Sequence, residues 1–364
     1  MMSTTNVPDS FNFTSGQVTD ASTIFNEKTS RPTVSEVQDK SSTDEETTTI
    51  QKLADTLQKE SNPLAHRFRS LFSLKHLASQ QPPTPQTLLA IRAIAGAFTS
   101  QSTLLKHELA YCLGQTRNLA CVPYLHKMLE DRDEDSMCRH EAAEALGALG
   151  DVGSLKLLRG MRDDVKEVEV VRETAEIAVE RIEWENSARG KEERLLKSNF
   201  ASIDPAPSLP QTSQQPAIPE LQTTLIDTKL PLFQRYRAMF ALRDLASPPD
   251  RPTAVDAVIA LASGFQDPSA LFRHEIAFVF GQLSHPASIP SLVEVLGKAK
   301  EASMVRHEAA EALGSLGEEE GVEDVLRNYL HDPEQVVRDS VIVALDMAEY
   351  EKSQEKEYAL LAAT

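Results

Sequence analysis

The sequence predicts an all-α solenoid in which stacked helix pairs form two symmetric halves. Three observations carry that prediction. Aromatic residues make up only 5 % of the chain while Ala and Leu are abundant, a balance that favours helices over a sandwich or barrel. Residues 69–79 align with residues 237–247 at an offset of 168, and HEAAEALGALG from His140 to Gly150 returns as HEAAEALGSLG from His307 to Gly317. Within each half, 33 residues separate His107 from His140 and His274 from His307, a length that two helices and their turns fill.

In chain order, residues 1–60 are expected to form a disordered tail. Nineteen of the first 50 are Ser or Thr, with little apolar periodicity to offset the entropy of ordering. Residues 61–184 form the first half, with repeats starting near Pro63, Gln86, Ala120 and Gly153. Residues 185–227 read as a linker, because Pro205, Pro207, Pro210, Pro216 and Pro219 stand among Ser, Gln and Ala. Residues 228–352 form the second half, with starts near Thr228, Pro252, Ala287 and Glu320, and 353–364 a short tail. Pro123 and Pro290 suit helix starts, and the Leu/Val/Ala stripes suit burial against neighbouring repeats. Ankyrin and tetratricopeptide signatures are absent. The expectation is eight short HEAT-like repeats, four per half.

Composition narrows the function. With 37 Lys and Arg against 55 Asp and Glu, the formal charge is −18, which disfavours nucleic-acid binding and suits a cationic partner. No apolar run is long enough to span a membrane, and the Ser/Thr/Asn-rich start is no secretory signal. Cys112, Cys121 and Cys138 are odd in number and lack CxxC spacing, so they read as reduced thiols in an intracellular protein.

The motif that carries chemistry is His-Glu-x-Ala-x-x-(Leu/Phe)-Gly, found at His107, His140, His274 and His307. The sequence holds its own control for it. The outer repeats place Ser70-Leu71, Glu173-Thr174, Ala238-Met239 and Asp339-Ser340 at the aligned positions. Helix pairs are expected there too, so packing does not require the dipeptide. Histidine and carboxylate suit iron, manganese or zinc, and the lack of paired cysteines argues against a structural zinc site. Adjacent side chains on one helix diverge by about 100°, so no single helix closes a site. Stacked helices about 8–10 Å apart bring His107 near His140 and His274 near His307. Two facing halves would then gather four His and four carboxylates, a set suited to two ions and, with open positions, to non-haem iron and dioxygen.

The surrounding positions are less specific. Gly114, Gly147, Gly281 and Gly314 follow each motif histidine by seven residues, where either a neighbouring helix or a substrate chain needs close approach. The fourth residues after the histidines are Tyr111, Glu144, Phe278 and Glu311; the two acids read either as groups behind the ligands or as solvated side chains. Lys106, Arg139, Arg273 and Arg306 precede the histidines as part of the repeat pattern, since Arg172 and Arg338 do so where His-Glu is missing. His66, His76, His126, His285 and His331 have no repeated counterpart and are read as incidental.

Four His-Glu dipeptides in two pairs, within HEAT-like repeats split by a linker, resemble the deoxyhypusine hydroxylase family over about residues 60–350. The resemblance implies a di-iron monooxygenase that hydroxylates the aminobutyl arm of deoxyhypusine, a modified lysine of a translation initiation factor, to form hypusine. It implies an iron site of His107, Glu108, His140, Glu141, His274, Glu275, His307 and Glu308, all present. It further implies two iron ions, ferrous in the resting reduced enzyme, dioxygen as co-substrate, an external reductant, and residence in the cytoplasm with the nucleus as a second compartment. Glu141 and Glu308 are candidates to anchor the substrate amines. The alternatives are a metal-free HEAT-repeat scaffold for a cationic partner and a bilin lyase; the latter gives no reason for four regularly placed His-Glu pairs.

Overall fold

The computed structural model describes residues 38–193, 200, 202–210 and 216–353. Within them the chain is an α-solenoid with no strand, and no helix is long and apolar enough to cross a membrane. The first part comprises α1 (Gln38–Gln58), α2 (Leu64–Ala78), α3 (Pro85–Gly96), α4 (Thr103–Gln115), α5 (Val122–Glu130), α6 (Ser136–Leu149), α7 (Leu155–Asp163), α8 (Glu169–Asn186) and α9 (Ala188–Glu193). The second comprises α10 (Ile218–Ile226), α11 (Leu232–Ala246), α12 (Ala254–Ala262), α13 (Ala270–Leu283), α14 (Ile289–Gly297), α15 (Ser303–Gly314), α16 (Val322–Arg327) and α17 (Gln335–Ser353).

Four of the pairs are tied by a recurring buried arginine. Near the start of the pair's second helix, its Nε donates to the carbonyl ten residues back: Arg67 to Leu57, Arg139 to Leu129, Arg235 to Leu225 and Arg306 to Leu296. A carboxylate then neutralises each guanidinium, Glu60, Glu167, Asp267 and Asp332 respectively. Of the basic residues before the motif histidines, Arg139 and Arg306 therefore serve the repeat, while Lys106 and Arg273 pair with Glu134 and Glu301. Side-chain caps start three of the four inner helices: Ser102 accepts from the Leu105 amide, Asp135 from Met137 and Ser269 from Phe272. Two incidental histidines also have local duties, His126 bonding Ser154 and His285 capping a turn through the Ala287 amide.

The glycines are helix contacts. A Cβ at Gly114 would lie 2.7 Å from Ala145 Cα, at Gly147 3.0 Å from Ala178 Cα, and at Gly314 2.7 Å from Ala344 Cβ. Close approach of neighbouring helices thus accounts for three of the four motif glycines.

Three expected boundaries differ in the structure. The tail assigned to residues 1–60 is helical from Gln38, because Ile50, Leu53, Ala54 and Leu57 form one stripe that packs on the core. Tertiary packing outweighs the weak helix preference of Thr47, Thr48 and Thr49. The linker assigned to 185–227 contains α10, whose Leu221 and Leu225 are buried, and a packed stretch at 202–210. There Asp204 makes a bidentate pair with the fully buried Arg243, at 2.7 and 2.8 Å, which also bonds Gln282. The first helix of each half therefore begins earlier than the starts near Pro63 and Thr228. The remainder of the expected tails, 1–37 and 354–364, and linker positions 194–199, 201 and 211–215 lie outside the described residues.

The halves meet at two seams, α17 against α2 and α4, and α8 against α11 and α13. Equivalent serines clasp both: Ser102 donates to Asp339 at 2.9 Å and Ser269 to Glu173 at 2.7 Å. Arg69 pairs with Asp346 across the first seam. This closure turns α4 and α6 of one half toward α13 and α15 of the other.

Candidate metal centre

The four motif histidines sit one on each of these four helices, in the middle of the molecule, at 0–5 % exposure. The small residue three positions on, Ala110, Ala143, Ala277 or Ala310, is fully buried in each helix. His107 lies 5.3 Å from His140, 5.9 Å from His274 and 5.3 Å from His307, measured between ring centroids. His274 lies 5.4 Å from both His140 and His307. Candidate ligands from both halves therefore share one cluster.

The carboxylates follow the internal duplication. Glu141 Oε2 is 3.2 Å from His107 Nε2, and Glu308 Oε2 is 3.4 Å from His274 Nε2, each contact joining neighbouring helices of one half. Neither contact has hydrogen-bond alignment. Glu108 accepts from the Cys112 thiol at 3.6 Å, while one oxygen of its counterpart Glu275 has no partner. All eight residues that the sequence singled out are buried here.

Six imidazole nitrogens in this cluster are buried without a hydrogen-bond partner: one on His107, two on His140, two on His274 and one on His307. Buried polar atoms are nearly always paired, so this concentration marks a ligand set. Three overlapping groups have donor atoms within 4.8 Å of one another: His107 with His274 and His307, His107 with His140 and Glu141, and His307 with Glu308 and Glu311. Neutral imidazole plus carboxylate is a donor set for iron, and the residues fit it.

The electrostatics agree. Burial pushes Glu108 up to about 8, aided by Glu311, and Glu141 up to about 8, aided by Glu308. Burial also raises Glu311 to about 7 and holds Glu144, Glu275 and Glu308 well above the usual carboxylate range. The same loss of water drives His274 down to about 3 and His140 and His307 well below their ordinary value. Neutral imidazoles are ready to ligate, and crowded carboxylates gain by receiving a cation.

A family described as HEAT repeats matches residues 91–180 and 255–346. Deoxyhypusine hydroxylase of Phaeosphaeria nodorum is 70 % identical over 317 residues, 87 % of this chain and 96 % of the relative. The chain belongs to the deoxyhypusine hydroxylase family. The Aspergillus fumigatus member is 68 % identical over 313 residues, covering 86 % of this chain and 93 % of its own. The solved structure of human deoxyhypusine hydroxylase in complex with glycerol matches with a TM-score of 0.75 at 41 % identity, covering 85 % of this chain and 99 % of that one.

In this deoxyhypusine hydroxylase-family chain, several contributors lie outside the repeated dipeptides. A small cavity of about 20 Å³ beside the cluster is lined by Tyr111, Phe278, Glu144 and Glu311 as well as by the ligand candidates. Tyr111 and Phe278, at equivalent positions, meet edge to face at 5.9 Å. Ser340 donates to Glu311 at 2.9 Å and lies 3.5 Å from His307 Nδ1. In the sequence Ser340 belongs to an outer repeat that lacks His-Glu. Its one signal there is its place beside Asp339, where His-Glu stands in the inner repeats.

Proposed function

We propose that this chain hydroxylates the deoxyhypusine side chain of a translation initiation factor, completing hypusine. The observation that carries the reading is the cluster of four buried histidines drawn from both halves, with unpaired imidazole nitrogens and adjoining carboxylates. His107, Glu108, His140, Glu141, His274, Glu275, His307 and Glu308 would hold two iron ions, ferrous in the resting state. Iron with dioxygen and an external reductant supplies the oxidising power that an unactivated C–H bond demands and side chains lack.

The chain's own residues do the rest. Buried Leu and Ala around the inner helices keep bulk water from the cluster, which strengthens every charge interaction inside it. The cationic aminobutyl arm is drawn to the carboxylates, and Glu141 and Glu308, beside His107 and His274, hold its amines. The Tyr111–Phe278 pair offers a flat apolar wall for methylenes. A metal-free scaffold would leave the unpaired imidazoles without a purpose.

Metal analysis of protein purified without added metal tests the reading. About two irons per chain, restored by ferrous ion after removal, are expected from the ligand count. One tightly held zinc per chain, with no activity on iron loading, would overturn it.

A further inference from the structure

Glu144 and Glu311 are the same residue of the duplicated pattern, four places after His140 and His307, yet the structure treats them differently. Glu311 is buried at 3 % exposure, turned inward with Oε1 3.7 Å from His307 Nδ1, and held there by the Ser340 hydroxyl. One of its oxygens lies within 4.8 Å of donor atoms on His307 and Glu308. Glu144 is half-buried at the wall of the cavity. Among the described residues, no hydrogen bond or ion pair reaches its carboxylate, and it lies more than 4.0 Å from a nitrogen of His140. Where Ser340 stands in one half, the other has Thr174, whose hydroxyl donates to the Val170 carbonyl at 2.8 Å instead of to an acid. Nothing thus ties Glu144 to the cluster.

We propose that Glu144 is the outer anchor for the substrate, receiving the secondary ammonium of the deoxyhypusine arm, while Glu311 belongs to the metal cluster. This rests on the function proposed above. Glu141 and Glu144 are three residues apart on α6, so their Cβ atoms are about 5–6 Å apart on one face. A four-carbon spacer between two ammonium groups bridges such a gap, so one helix can hold both charges of the arm, the inner at Glu141 and the outer at Glu144. A free polyamine offers similar charges without the protein chain that follows, so Glu144 also sets the depth at which the lysine stem stops. Ser340, by holding Glu311 inward, acts as a positioning residue that leaves a single outer carboxylate.

The test compares Glu144→Gln, Glu144→Asp, Glu311→Gln and Ser340→Ala in iron-loaded full-length protein. Iron content, binding of the deoxyhypusine-bearing factor by calorimetry, and kinetics are read on the same preparations. Glu144→Gln should keep wild-type iron and weaken binding and KM at least tenfold, with Glu144→Asp recovering part of the loss. Glu311→Gln should instead lose iron, and Ser340→Ala should lower iron affinity with KM little changed. Normal substrate binding by Glu144→Gln beside a normal wild type would overturn the anchor alone. A wild-type protein that loads iron but does not hydroxylate the factor would overturn both the anchor and the function on which it rests.

Discussion

Gln115 and Gln282 stand eight residues after His107 and His274, at equivalent ends of α4 and α13, and both grip the same stretch of chain between the halves. Gln115 accepts from the Ile203 amide at 2.8 Å and donates to its carbonyl at 3.2 Å, while Gln282 donates to the Ser202 hydroxyl at 2.8 Å. The duplication thus presents two matching hooks, and a single segment joins them beside the site. Arg243 fixes the next residue, Asp204, and stacks 4.0 Å over the Phe200 ring.

Breaking that attachment should be costly. Arg243 is fully buried, so Arg243→Ala leaves Asp204 and Asp244 without their main counter-charge. Losing one partner of a buried pair costs about 3–5 kcal/mol. Thermal melting should show a lower Tm, and limited proteolysis should cut within 202–210 faster than in wild type. An unchanged cleavage rate would show that the hooks, not the arginine, hold the segment.

The histidines should prove dispensable for the fold and indispensable for metal. His107→Ala, His140→Ala, His274→Ala and His307→Ala should each lower activity by more than the roughly 10–100-fold typical of residues one layer behind a metal. Far-ultraviolet circular dichroism should stay as in wild type, since helix pairs pack through nearest neighbours. Wild-type turnover in any one variant would remove that residue from the site.

This fold was legible largely because the chain repeats itself. The His140–Gly150 and His307–Gly317 copies gave the symmetry and placed eight candidate residues in one pattern. What escaped was whatever the repeat does not encode. Helix α1 is polar except for the four-residue stripe from Ile50 to Leu57, and the 202–210 stretch is ordered by long-range partners such as Gln115 and Arg243. Ser340 and Glu144 stand out because the two halves use matching residues differently, and that difference has no motif.

The motif glycines yield a stability contrast. Gly114→Ala would force a Cβ to within 2.7 Å of the Ala145 backbone, an overpacking cost of about 1–3 kcal/mol. Gly160→Ala in α7 meets nothing within 4 Å and should stabilise, by up to about 1 kcal/mol from helix propensity. Denaturant midpoints measured side by side check both signs.

The metal-free protein should become less stable as pH rises from about 6.5 to about 8. Glu108 and Glu141 are raised to about 8, so through this window the folded state holds protons that the unfolded state has released. Unfolding is then favoured by each step up in pH. His274, lowered to about 3, acts oppositely but only below about 6.5, where the unfolded imidazole takes a proton. Ferrous ion should reverse the trend, because binding expels the same protons. Melting curves with and without metal across that range decide it.

Attraction between the acidic chain and a cationic arm should be screened by salt. Raising ionic strength from low to physiological values should increase KM for the modified factor more than it lowers kcat, because exposed charges are screened over about 8–10 Å and buried ligands far less. A salt effect confined to kcat would place the sensitivity in the cluster rather than in substrate capture.

We propose that the two halves build one iron site that puts oxygen on deoxyhypusine. Iron-loaded protein incubated with the deoxyhypusine-bearing factor, reductant and isotopically labelled dioxygen, read by mass spectrometry of the modified lysine, tests it most directly. One labelled oxygen on that side chain, absent with His140→Ala, is the expected result. A fully iron-loaded wild type that leaves the side chain's mass unchanged, or adds only unlabelled oxygen, would contradict it.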